Sequence, residues 1–487
     1  MSQVARQAAR GTALLAAAHG SLTLSGFLVA LLLARGLGPE SYGIYGIIYS
    51  FLLTSELIGR LGIPQAVSRL IAERGAAEKG LEACGVTLTM LVYAGVFALF
   101  WAGAPWVAGA FELPRENGAA LLRLAALDIP FYGLFFILGH ILNGRRDFMG
   151  EAVATIVYSV AKALGVVLLF GFEVTIGGAL LVNAGASALG VAFACWRTGA
   201  GTFALNVGFR RPILALAVPV ALATTGNQLL QSLDLWALNA FGDHVLRTTK
   251  GLYVAATNLA RMPGLVAFVM TAVLVPSIVR ARADGDTRTV SSTICGASRF
   301  MAIVLLPVTG IVAFEGGPIL SLLFSPDYAA GAPILAVLVV AHGLLNTAFF
   351  TLCGVLLAVG DERSSAVIAL SAASFAALLA PVLVALFGAG GAAAGALATA
   401  GMAALATGAA LHRRVGWFID GTAVLRALLL TGLVCAASML WKTEGLYLLL
   451  ELVCLGLAYL AALPLVRLVT RADLDPFLPQ RPASNEV

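Results

Sequence analysis

Fourteen apolar stretches, joined by mostly short polar connections, run the length of this chain. They cover 12–34, 42–63, 84–104, 119–142, 149–171, 174–196, 212–240, 251–279, 297–316, 329–358, 365–387, 389–411, 424–441 and 444–468. A hydrocarbon core near 30 Å is crossed by roughly 20 apolar residues of helix. None of the stretches shows the period-two alternation that would mark barrel strands. Backbone in lipid must bond to itself, so the pattern predicts an all-α, polytopic membrane protein of fourteen transmembrane helices. Arg6 and Arg10 precede the first stretch as they would in a signal peptide. That stretch is long enough to span, lacks a clear small-residue cleavage site and leads into another span, so it reads as span one.

Composition supports the same class. Of 487 residues, 60% are hydrophobic and only 11% charged, and the mean hydropathy is +0.95, more apolar surface than a soluble core of this size could hide. The net charge of +5 does not point to nucleic acid, because the basic residues fall in the connections. With the amino terminus inside, 22 of the 30 Lys and Arg lie on the cytoplasmic side, six lie outside or near the outer boundary, and Lys162 and Arg261 fall within spans. Positive residues resist translocation, so both termini are expected in the cytoplasm and the protein in the inner (plasma) membrane. The six cysteines are scattered, nearly all in apolar runs, and read as packing residues.

A weak internal repeat recurs about 210 residues on. Gly43-Ile44-Tyr45 resembles Gly251-Leu252-Tyr253, Pro64 resembles Pro276, and Asn143-Gly144-Arg145-Arg146-Asp147 resembles Val359-Gly360-Asp361-Glu362-Arg363. Corresponding spans are six apart, so the halves share one orientation about an axis along the membrane normal. This predicts an N-lobe over 1–211 (helices 1–6), a pseudo-symmetric C-lobe over 212–415 (helices 7–12), and helices 13–14 with a cytoplasmic tail over 416–487.

A charge within a span costs about 2.5–3.5 kcal/mol to insert, so those present face a cavity or a partner. Thr224, Asn227, Gln228, Gln231 and Asp234 share one face of span seven and would form either a wet cavity wall or an interhelical hydrogen-bond seam. Asn258 and Arg261 sit in span eight ahead of Pro263. Arg261 either contacts a phosphate, to which its guanidinium presents fork-shaped donors, or pairs with Asp234 at comparable depth. Lys162, in span five, lines the cavity or meets a carboxylate from another helix. Weaker candidates are Arg123, close to Asp128 in span four; Glu56, four residues before Arg60 as in a helix ion pair; and His342 with Asn346 on one face of span ten. The glycine run 388–395 stands in no strand-turn-helix context and reads as close helix packing. No phosphate-binding loop, zinc motif or nucleophile elbow occurs, so no enzyme is expected.

The stretch from Leu33 through Arg35-Gly36-Leu37-Gly38-Pro39-Glu40-Ser41-Tyr42-Gly43 to Tyr45, followed by Gly62-Ile63-Pro64-Gln65-Ala66-Val67-Ser68-Arg69, resembles the opening of bacterial polysaccharide-exporter flippases. These are the Wzx-type members of the multidrug, oligosaccharidyl-lipid and polysaccharide exporter superfamily. Asp234, Gly251 to Ala256, the Pro276 region and Tyr328 through Gly360 resemble that family's second-lobe pattern. The resemblance implies alternating access by a V-shaped pair of lobes carrying polyprenyl-diphosphate-linked oligosaccharide for cell-surface polysaccharide such as O-antigen. It further implies coupling to H+ or Na+ with no bound cofactor, and work beside a polymerase and glycosyltransferases. A monomer within membrane lipid, with no nucleic-acid partner, is expected. A cation-coupled multidrug exporter and a peptidoglycan-precursor flippase are the alternatives.

Overall fold

A computed structural model describes residues 3–469 apart from 61, 75–78, 112, 200–206, 243, 442 and 444; some further side chains, among them Arg60, Thr224, Asn227 and Gln228, also lie outside the described residues. The described residues form helices joined by short turns and loops, with no strand among them. In order the helices are α1 (Gln3–Arg60), α2 (Ile63–Arg74), α3 (Lys79–Ala110), α4 (Gly118–Ala126), α5 (Asp128–Gly144), α6 (Phe148–Leu169), α7 (Ile176–Thr198), α8 (Arg210–Leu230), α9 (Leu233–Phe241), α10 (Arg247–Ala260), α11 (Gly264–Ala283), α12 (Thr287–Phe314), α13 (Gly316–Leu323), α14 (Ala332–Asn346), α15 (Cys353–Ala358), α16 (Glu362–Val415), α17 (Gly421–Leu440) and α18 (Tyr447–Ala462). A 3-10 turn (Pro326–Gly331) precedes α14 and a π-helical turn (Thr347–Leu352) follows it. Nine helical segments among the described residues are long and apolar enough to cross a membrane. This is a polytopic helical membrane protein. Leu99, Trp106, Leu378, Leu405 and Leu440 are each at least three-quarters exposed, as side chains facing lipid should be.

Two of the long helices are broken where the sequence places two spans. Gly38 (φ 72°) interrupts α1 and Gly388 (φ 59°) interrupts α16, in backbone regions that only glycine enters without strain. At α16 the chain doubles back. A side chain on Gly391 would run into the Leu383 carbonyl, and Gly395 lies over Ala380. The glycine run therefore packs one helical arm closely on the other.

Spans seven and eight are also interrupted, α8 from α9 at Gln231–Ser232 and α10 from α11 at Arg261–Pro263. The proline cannot donate to the helix ladder. Freed carbonyls at membrane depth are tolerated only where protein or a cavity receives them, and here the Arg261 guanidinium donates to the Gln231 carbonyl.

The helix ends are fixed by short-range chemistry. Asp147, Asp286, Asp361 and Asp420 cap α6, α12, α16 and α17, each accepting from a backbone N–H three residues on. Two of these caps carry the same second bond in each half of the chain: Asp147 pairs with Arg197 at 2.7 Å and Asp361 with Arg414 at 2.8 Å. These bonds hold both carboxyls below the ordinary carboxylate range, the arginine being the largest cause in each. A carboxyl depressed on folding stabilises above its unfolded pKa, near 4, and loses that contribution as pH falls through the folded value. Melting temperature in detergent should therefore fall more steeply below about pH 4 in the natural protein than in an Asp147→Asn, Asp361→Asn double variant, where asparagine keeps the cap and removes the charge. Equal slopes would contradict this.

Packing joins the two halves of the sequence. The largest buried cluster combines Leu33, Tyr42 and Ile48 of α1 with Tyr253 and Val254 of α10 and with Leu320, Phe324 and Tyr328. Gly43 faces Gly251 and Gly46 faces Val254, so the second arm of α1 and α10 run side by side in one direction at backbone contact. Gly43 and Gly251 are also the residues that the internal repeat makes equivalent. Helix α17 packs against α12, and α18 packs on α17 and, through Leu448, joins the largest cluster.

Candidate functional site

A cavity of about 280 Å³ lies where α1, α6, α9 and α10 converge. Its wall includes Tyr42, Tyr45, Tyr49, Ser50, Lys162, Gln231, Asn258 and Arg261. Each is placed by local structure. The tyrosines recur at helical spacing on one face of α1 and stack in sequence, with ring centroids 6.1 Å (Tyr42 to Tyr45) and 5.5 Å (Tyr45 to Tyr49) apart. Lys162 projects from α6, donates to the Tyr49 hydroxyl at 2.9 Å and stands 4.9 Å from that ring's centroid, a cation held over aromatic faces. Arg261 follows the last turn of α10. Beyond its bond to Gln231, its buried Nε has no acceptor. Asn258 donates to the Tyr42 hydroxyl at 2.8 Å. Among the described lining residues there are two cations and no carboxylate.

Around the α1 break, contacts tie the first half of the sequence to the second. Arg35 donates to the carbonyls of Leu322 and Leu323, Tyr328 donates to the Ala34 carbonyl, and Glu40 lies 3.8 Å from Arg247. Below them Trp236 donates to Ser50 and stacks on Phe51.

Of the residues singled out from sequence, the structure gathers Lys162, Gln231, Asn258 and Arg261 around this cavity. It places Asp234 elsewhere. The stripe through Thr224 and Asp234 presumes one unbroken helix, and the break at Gln231–Ser232 sets Asp234 on α9. There it accepts from the Tyr253 hydroxyl at 2.7 Å and lines a separate, small pocket with His342 and Thr399. No ion pair joins it to Arg261 among the described residues. His342 is buried with Nε2 unpartnered, and the Asn346 amide packs against Gly264. Arg123 lies over Trp101 at 5.9 Å, away from the cavity. Glu56 is buried beside Asp128, while Arg60, Asn227 and Gln228 fall outside the described side chains. The tyrosine face of α1 is the part that the sequence reading missed as a wall, and its spacing 42, 45, 49 is the signal that could have found it.

This arrangement, a helical membrane fold with a polar cavity lined by helices from both halves of the sequence, is a fold also seen in solved transporters of the multidrug, oligosaccharidyl-lipid and polysaccharide exporter superfamily. Over 92% of its length the chain superposes on 98% of a structure titled lipid II flippase MurJ in an inward closed conformation, with TM-score 0.77 and 15% identity. It also superposes on an inward-facing multidrug resistance MATE transporter of that superfamily, with TM-score 0.64 and 15% identity over 80% of this chain and 95% of the other. Residues 8–282 match the polysaccharide biosynthesis protein family, and the chain belongs to that family. A curated relative, stage V sporulation protein B of Bacillus subtilis (strain 168), is 22% identical over 299 residues. That match covers 55% of this chain and 57% of the relative's length.

Proposed function

We propose that the chain is a flippase that carries polyprenyl-diphosphate-linked oligosaccharide from the cytoplasmic to the outer leaflet for cell-surface polysaccharide export. The observation that carries this reading is the cationic cavity: Lys162 and Arg261 line it, and none of its described lining residues is acidic. A diphosphate crossing a low-dielectric layer must exchange its water for fixed positive charge and hydrogen-bond donors. Lys162 supplies a point charge, and Arg261 supplies a fork with a donor to spare. Gln231 and Asn258 add amide groups for sugar hydroxyls, and Tyr42, Tyr45 and Tyr49 offer aromatic surface against sugar rings. The volume sits at the lower edge of ligand sites, roughly 300–1,000 Å³, which suits the diphosphate with its first sugar in a closed state, the lipid tail remaining in the bilayer.

Transport then proceeds by rocking of the two repeat-related halves, 1–211 and 212–415, about the contact of Gly43 with Gly251, with both termini cytoplasmic. Helices α17 and α18 would ride on the second half. Glycosyltransferases and a polymerase act before and after the flip. A cationic drug would meet repulsion in this cavity, which weighs against a multidrug exporter. A peptidoglycan precursor presents the same diphosphate, and the likeness to a lipid II flippase supports it as the second reading.

Reconstitution tests the proposal. Vesicles containing the purified chain and a fluorescent polyprenyl-diphosphate disaccharide should lose inner-leaflet probe to an impermeant quencher faster than protein-free vesicles. Equal rates would refute it. Faster movement of lipid II than of the disaccharide lipid would favour the second reading, and uptake of a cationic dye without lipid flipping would favour the drug exporter.

A further inference from the structure

Two further cavities lie beside the second arm of α1, at the end that the proposed orientation places outside. One, of about 220 Å³, is lined by Gly43, Ile44 and Ile47 together with Arg247 and Lys250 of α10. The other, of about 520 Å³, lies between the end of α3 and the start of α4, and its wall includes Arg115 and again Arg247. Tyr42, Tyr45 and Tyr49 face the central cavity, whereas Gly43, Ile44 and Ile47 face the smaller outer one, so the two lie on opposite faces of α1. Helix α10 serves both with a single face. Arg247, Lys250, Val254, Thr257, Asn258 and Arg261 follow the i, i+3, i+7, i+10, i+11, i+14 pattern of one helical stripe. The first two line the outer pocket and the other four the central cavity. The stripe spans roughly 21 Å of helix axis.

Charge gathers here against its usual bias. Positive residues resist translocation, yet three of the six Lys and Arg that the sequence places outside or near the outer boundary line these two pockets, and none of their described lining residues is acidic. Lys250 is buried, so its charge is little screened by water. Helix α10 begins at Arg247 with no side-chain cap and no acidic residue in its first turn, and the positive end of its dipole adds to the field. Glu40, 3.8 Å from Arg247, forms an exposed pair of the kind worth little, which a doubly charged anion can displace. The geometry points to an outer binding station for the phosphate groups of a lipid headgroup, formed by Arg115, Arg247 and Lys250 at the outer end of the α10 stripe. A diphosphate leaving Arg261 meets the next cations of the same helix face, so departure from the central cavity and arrival outside are consecutive steps along one element. The larger pocket falls within the volume range of ligand sites and leaves room for sugars. Naming the bound group as the carried lipid rests on the flippase reading, but the anion binding does not.

The test titrates inorganic pyrophosphate into the purified full chain in phosphatidylcholine nanodiscs by calorimetry, in a Lys162→Gln, Arg261→Gln background that silences the central cavity. Binding should persist there, and Arg247→Gln added to that background should weaken it roughly tenfold. Arg123→Gln, which removes an outer cation that lies over Trp101 and lines neither pocket, should leave it unchanged. No pyrophosphate binding in that background, or binding indifferent to Arg247→Gln, overturns the site. If the background variant does not fold, the natural chain serves instead: an Arg115→Gln, Arg247→Gln double variant should bind one pyrophosphate fewer, and an unchanged number overturns the site. Nanodiscs carrying polyprenyl diphosphate or phosphatidylglycerol then separate the sources. Displacement of pyrophosphate by polyprenyl diphosphate alone supports the carried lipid, whereas equal displacement by phosphatidylglycerol, or displacement by neither, overturns that assignment. A chain that binds pyrophosphate here but does not flip the disaccharide lipid would defeat the flippase reading and leave this site standing.

Discussion

Arg261→Gln will lower flipping of a diphosphate-linked lipid, at subsaturating substrate and matched protein, by roughly 10- to 100-fold. A hydrogen bond to a charged group is worth about 1.5–3 kcal/mol, and a tenfold change corresponds to about 1.4 kcal/mol. Arg261 stands at the junction of α10 and α11, in the cavity wall, with its Nε lacking an acceptor. It also holds the Gln231 carbonyl at the break in span seven, so loss of the side chain could act through structure alone. Two controls separate these roles. Melting temperature reports the structural bond, and Arg261→Lys keeps the charge while losing the fork, so it should recover part of the rate. A well-folded Arg261→Gln variant that flips at the natural rate would remove this residue from substrate contact.

Gly251→Ala will produce the largest loss of stability among single-methyl additions to the glycines. A Cβ at Gly251 would run into the Pro39 carbonyl and crowd the Gly43 backbone. Both obstacles are main chain, so no side chain can rotate away, and α1 and α10 must separate. Overpacking of this kind costs about 1–3 kcal/mol. The same separation would loosen the contacts that Arg35, Tyr328 and Glu40 make around the α1 break. Gly401→Ala is the matched control, because nothing lies within 4 Å of a Cβ there. Melting curves of the two variants settle the comparison; equal midpoints would show that the approach at Gly251 is not tight.

Much of this molecule can be read from one sequence because lipid imposes simple rules. Long apolar runs must be helices, and charges left inside them must be accommodated, which is how Lys162 and Arg261 stand out in the sequence alone. What the sequence hides depends on breaks and on distant partners. Asp234 shares a face with Asn227 only on a continuous helix, and the interruption at Gln231–Ser232 redirects it to Tyr253. Asp128 and Asn183 are 55 residues apart on different helices, and no local period announces their contact. The aspartate caps were hidden for another reason. The glycines align the loops at 143–147 and 359–363, whereas the structure equates Asp147 with Asp361 through their bonds to Arg197 and Arg414.

The direct test of a cationic cavity that takes a lipid diphosphate is the affinity of the purified chain for polyprenyl lipids differing only in head charge. Natural protein should bind the diphosphate more tightly than the monophosphate and the monophosphate more tightly than the alcohol, and a Lys162→Gln, Arg261→Gln double variant should lose most of that gradation while keeping its affinity for the alcohol. An undiminished preference for the diphosphate in the folded double variant would contradict the assignment of the cavity as the head-group site.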